Sequence, residues 1–162
     1  MRNLFNKLNP KSFKISCISL CLFGDLSFCG YMYSLFSDKE AYLQNYDILK
    51  GPLNEAFKQQ GMMLPKNIEH EIFHLMIQTL IFMLVLFLLA HTIIYTFYFF
   101  QKRFAFLYIK FISFMGTLGA LLFAAATITV NTYWGIIFLL VTLAYLFVIF
   151  GTYYFPIHPK KN

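Results

Sequence analysis

The sequence predicts an all-α integral membrane protein: a bundle of four transmembrane helices with a short extracytoplasmic helical lid between the first and the second. Three observations lead there. Hydrophobic residues make up 59% of the 162 and charged residues 12%, against about 45–50% and about 25% in soluble domains. A run without Asp, Glu, Lys or Arg extends from Ile72 to Gln101, longer than the roughly 18 apolar residues that mark a membrane span. The basic residues gather in short flanks beside the apolar runs, the pattern of the positive-inside rule.

The predicted spans are Ile15–Ser37, Ile72–Phe100, Phe104–Val130 and Tyr133–Phe155, in one membrane domain of residues 1–162. Arg2, Lys7, Lys11 and Lys14 precede the first span, Lys102 and Arg103 separate the second from the third, and Lys160 and Lys161 follow the fourth. Asn131 and Thr132, between the third and fourth, carry no charge. Both termini are therefore expected on the cytoplasmic side of a plasma or inner membrane. Tyr133, Trp134, Tyr153 and Tyr154 suit the two interfacial aromatic belts. The apolar stretch after the basic N-terminal flank also resembles a signal peptide, but Asp25 follows it and no small-residue cleavage site appears, so an uncleaved anchor is expected.

The outer loop, residues 38–71, is too long for a bare connector. Ser37 with Glu40 three residues on forms a capping-box pattern. Tyr42, Tyr46 and Leu49 follow at helical spacing. Gly51-Pro52 is expected to stop that helix and start a second, which carries Leu53, Ala56 and Phe57 on one face and ends at Gly61. Met62-Met63-Leu64-Pro65 returns the chain to the bilayer.

The net charge of +6 does not point to nucleic acid, because the basic residues flank spans instead of forming a soluble patch. The lipid bilayer is the expected partner, together with a second copy of the chain or a larger membrane complex. Gly116, Ala120 and Ala124 recur at four-residue spacing on the third span, the small-residue pattern that lets helix backbones approach closely. They are candidates for packing within the chain or between copies.

Two constellations carry candidate chemistry. His70-Glu71-Ile72-Phe73-His74 matches the His-Glu-x-x-His pattern, in which His70 and His74 would be zinc ligands on one helical face and Glu71 the general base. Such a site needs a third protein ligand. His91 is too far along the same helix, His158 lies across the membrane, and Asp38, Asp47 and Glu55 have no diagnostic spacing. The motif thus reads first as the polar start of a helix, with Asn67 as cap and Glu69 and Glu71 at the positive end of the dipole.

The second constellation is intramembrane. Cys17, Cys21, Asp25 and Cys29 fall at successive four-residue steps on one stripe. Asp25 lies about 15 Å and His91 about 13–14 Å from the inner boundary, counted at 1.5 Å per residue. Intramembrane ionisable groups turn inward and find partners, so an Asp25–His91 pair is expected, with Thr92 and Tyr95 able to extend a hydrogen-bond chain from it. Lys110 is close enough to compete, although snorkelling to the interface costs less. The cysteines lack a Cys-x-x-Cys pair and read as packing residues or free thiols.

These residues support three functions. The first is a non-enzymatic accessory or scaffold subunit, with no cofactor. The second is an oligomeric ion- or proton-coupled transporter or channel using Asp25 and His91. The third is a zinc metallopeptidase using His70, Glu71 and His74.

Overall fold

The structure, a computed structural model, describes residues 9–61, 63 and 67–155. Arg2, Lys7, Met62, Leu64, Pro65, His158, Lys160 and Lys161 lie outside the described residues. The described residues are 89% helix, with no strand among them. They form five helices, in order α1 Pro10–Phe36, α2 Lys39–Gln59, α3 Ile68–Phe99, α4 Arg103–Thr127 and α5 Thr132–Tyr154. Four of them, α1, α3, α4 and α5, are long and apolar enough to cross a membrane.

Local chemistry sets the helix limits. α1 begins earlier than its apolar run because Asn9 Oδ1 accepts from Lys11 N at 3.1 Å and Pro10 occupies the first helical position, where its missing N–H costs nothing. α3 likewise starts at Ile68, so the whole His70–His74 segment is helical. Its first turn hangs from the Asn67 carbonyl, which accepts from His70 N at 3.1 Å and Glu71 N at 3.2 Å.

The segment between α1 and α3 differs from expectation in two respects. A single helix, α2, runs through Gly51-Pro52 where two short helices were expected. Both residues are exposed, so the carbonyl that Pro52 leaves without an N–H partner can be solvated, and the helix continues past the interruption. The cap also moves: Asp38, not Ser37, is the N-cap, its Oδ1 accepting from Glu40 N at 3.0 Å and Ala41 N at 3.1 Å. Gly61 ends the segment at φ 71°, with its N–H on the Lys58 carbonyl.

Two compact units divide the chain. One comprises residues 30–86, where α2 meets the start of α3 through aromatic rings: Tyr42 lies 5.0 Å from Phe73 and 6.1 Å from Tyr46 between centroids. Burial, followed by the neighbouring Tyr46 and Glu69, pushes the Tyr42 phenol above its ordinary pKa.

The other unit comprises residues 1–29 and 87–162 and holds the polar groups of interest. Its core is built by large rings seated on glycines. Phe13 of α1 lies directly over Gly151 of α5, leaving no space for a β-carbon. Tyr145 of α5 sits in a notch between Gly24 of α1 and Gly116 of α4 in the same manner. Gly135 permits the tight α4–α5 turn, since a β-carbon there would stand 2.6 Å from Ile128 Cα, and Asn131 caps α5 through Trp134 N at 3.3 Å.

The α3–α4 turn closes through paired bonds from Gln101 N to the Tyr98 carbonyl and from Lys102 N to the Phe97 carbonyl, a Schellman arrangement. Gln101 takes the left-handed position at φ 62°, where glycine is favoured and a β-carbon is strained. Gln101→Gly should therefore raise the unfolding free energy by about 0.5–1 kcal/mol. Denaturation in mild detergent measures this, and an unchanged or lowered value would mean the turn carries no strain.

Candidate functional site

Asp25 of α1 and His91 of α3 are 3% and 5% exposed. Each stands well inside an apolar helix. The structure places His91 Nδ1 2.9 Å from Asp25 Oδ2. Two tyrosines complete the cluster. Tyr95, one helical turn beyond His91, donates its hydroxyl to the same Oδ2 at 2.5 Å. Tyr108 of α4 lies 2.7 Å from His91 Nε2. Three helices are thereby joined at one point, with both imidazole nitrogens occupied.

Two proton placements satisfy every bond in the cluster. In one, His91 donates its Nδ1 proton to the carboxylate while the Tyr108 hydroxyl donates to Nε2. In the other, Asp25 keeps the proton and donates it to Nδ1, and Nε2–H donates to the Tyr108 oxygen. The first placement leaves the cluster with one negative charge and the second, which holds one more proton, leaves it neutral, so a low-dielectric surrounding favours the second.

The cysteine stripe shares this interior. Cys17, Cys21 and Cys29 are buried free thiols. Soft, small side chains thus pack the helix face that carries Asp25.

Some expected participants lie elsewhere. Thr92 does not extend the cluster, because its hydroxyl donates to the Leu88 carbonyl of its own helix at 2.8 Å. Lys110 turns away from Asp25: its Nζ stands 3.9 Å from the Tyr153 ring centroid and 5.6 Å from that of Phe106. A cation over aromatic faces toward a helix end needs no buried counter-ion. Gly116, Ala120 and Ala124 pack inside the chain, with Gly116 under the Tyr145 ring and the two alanines 5% and 1% exposed.

Tyr108 and Tyr145 were not singled out from sequence. Tyr95 carried a readable signal, its spacing of four from His91. Tyr108 carried only its depth in the next helix, and Tyr145 none.

His70, Glu71 and His74 are exposed on one face of α3 and border an open depression with Asn67 and Leu75. No group of three His, Cys, Asp or Glu side chains placed to hold a metal ion occurs among the described residues. Two imidazoles one turn apart can chelate a metal weakly, but a catalytic zinc needs a third protein ligand.

No family model, curated protein or solved structure matches the chain. The arrangement of side chains is therefore the basis for a functional reading.

The geometry generates a stability prediction. Interhelical hydrogen bonds in membrane proteins contribute about 0.6 kcal/mol on average and up to about 1.7, and this pair shares one oxygen with a third partner. A double-mutant cycle of Asp25→Leu and His91→Leu, read by unfolding in mild detergent, should give a coupling of about 1–2 kcal/mol. Additive effects of the two substitutions would show that the pair contributes no interaction energy.

Proposed function

We propose that the chain is a multi-pass protein of a cytoplasmic-type membrane, with both termini in the cytoplasm, that serves as a non-enzymatic accessory or scaffold subunit. The observation that carries this reading is the occupancy of His91. One imidazole nitrogen is bonded to Asp25 and the other to Tyr108, so the buried base has no free nitrogen to offer a metal or a substrate proton. Its bonds dock α1, α3 and α4 to one another. The other histidine pair, His70 and His74, is exposed and lacks a third ligand among the described residues.

The orientation follows from charge. Lys11, Lys14, Lys102 and Arg103 flank the helix ends that alternate threading puts on one side, and the Asn131 turn on the other side is uncharged. That places α2 on the extracytoplasmic side. The subunit assembles with copies of itself or within a larger membrane complex. Gly116 already lies under Tyr145 and Ala120 and Ala124 are buried within the chain, so association draws on outward apolar residues such as Leu86, Leu89 and Ile93 of α3.

The two proton placements support one alternative, in which Tyr108, His91, Asp25 and Tyr95 relay a proton for coupled transport. Reconstitution in liposomes separates the two. The subunit reading expects no intrinsic pH-driven flux and one defined assembly on native mass measurement. Flux that Asp25→Asn abolishes without loss of folded protein would replace it with the transporter. Cysteine labelling checks the orientation: Asn131→Cys should react with an impermeant reagent in intact cells and Gln101→Cys only after permeabilisation.

A further inference from the structure

A cavity of about 270 Å³ adjoins the Asp25–His91 pair. Four phenyl rings, Phe28, Phe87, Phe123 and Phe138, form much of its wall, and Gly116, Gly119 and Ala120 create its space. Phe87 leans on the His91 ring at 4.1 Å between centroids, and Phe123 stacks on Phe138 at 5.3 Å. An apolar cavity of about 150 Å³ holds a benzene ring, and pockets for larger ligands start at about 300 Å³. This one has the size of a single ring with small substituents.

The polar side of the wall is specific. Asp25, His91 and Tyr145 line the cavity, and all three are buried. His91 has both nitrogens bonded, whereas the bonds to Asp25 all fall on Oδ2. Asp25 Oδ1 accepts from no described residue, and the Tyr145 hydroxyl, over Gly24, has no hydrogen-bond partner among them. The cavity therefore pairs an acceptor with a donor on a phenyl-lined wall.

From this we infer that the cavity binds the ring of a lipid-soluble hydroquinone. One ring hydroxyl donates to Asp25 Oδ1 and accepts from Tyr145, and the ring stacks among the phenylalanines. The oxidised quinone offers only carbonyl acceptors and leaves Oδ1 unpaired, so the site selects the reduced form. Met115 and Phe123 line the cavity and are also 49% and 37% exposed, which gives the ring an entrance from the apolar outer surface with the tail left in lipid. Binding alone is assigned, and no electron transfer is involved.

The test is equilibrium binding of a short-tailed alkyl benzohydroquinone, kept reduced under argon, to the purified full chain in detergent. Saturable one-to-one binding is expected, at least about tenfold tighter than for the matching quinone. Tyr145→Phe keeps the ring in its glycine notch and should weaken binding about fivefold. Gly119→Leu should abolish binding with the unfolding midpoint retained, because a β-carbon at Gly119 meets nothing within 4 Å and the side chain can fill the cavity. If Gly119→Leu reduces the yield of folded protein, Met115→Trp at the entrance provides the same block. Equal affinity for quinone and quinol would overturn the assignment. So would unchanged binding in the filled variants, or competition by a saturated fatty alcohol as strong as by the quinol.

Discussion

The meeting of an acid and an imidazole deep among apolar side chains is the constraint around which this chain is arranged. A lone carboxylate or imidazolium in hydrocarbon is costly, and the cost falls when the two share a proton and complete their remaining bonds. Asp25 and His91 do so with help from Tyr95 and Tyr108, and the partners come from α1, α3 and α4. Helices that must satisfy this cluster lose freedom to slide or rotate, because a shift of one residue would move a donor by about 1.5 Å along the axis. Apolar packing alone imposes no comparable register, since one leucine slot in a bilayer resembles the next. The polar contact selects a single docking, and the glycine notches then allow the backbones to close around it.

That selection also explains the economy of charge in the interior. Lys110, the one lysine near this depth, reaches for Tyr153 and Phe106. Its departure keeps the pair free of a third charge. The cysteines on the same stripe as Asp25 add polarisable volume with little cost of burial.

Much of the helical plan was readable because lipid imposes it. Uncharged length, basic flanks and aromatic ends report directly on the bilayer, and α1, α3, α4 and α5 follow those runs. The equal depth of Asp25 and His91 came from counting residues at a fixed rise. Boundaries were harder, since Asn9-Pro10 and Asn67 start helices outside the apolar runs and hydropathy does not detect a cap. Gly51-Pro52 was misleading because its exposure, which makes the interruption tolerable, is a tertiary property. Tyr108 and Tyr145 were invisible for a related reason. Tyrosine is common in this chain, and only three-dimensional packing shows which hydroxyl faces a histidine and which faces a cavity. The His70–His74 motif shows the converse. Its spacing is set by one helix, but the ligand that would complete it must come from elsewhere in the fold.

The ring of Tyr145 has a mechanical consequence. It belongs to α5 yet occupies hollows in both α1 and α4, so it works as a tooth meshed with two wheels. α5 cannot turn about its own axis without pushing both neighbours, and a swing of either neighbour is handed to the other through the same phenol. Motion in this part of the molecule is thus geared, and three rods move as one or stay still.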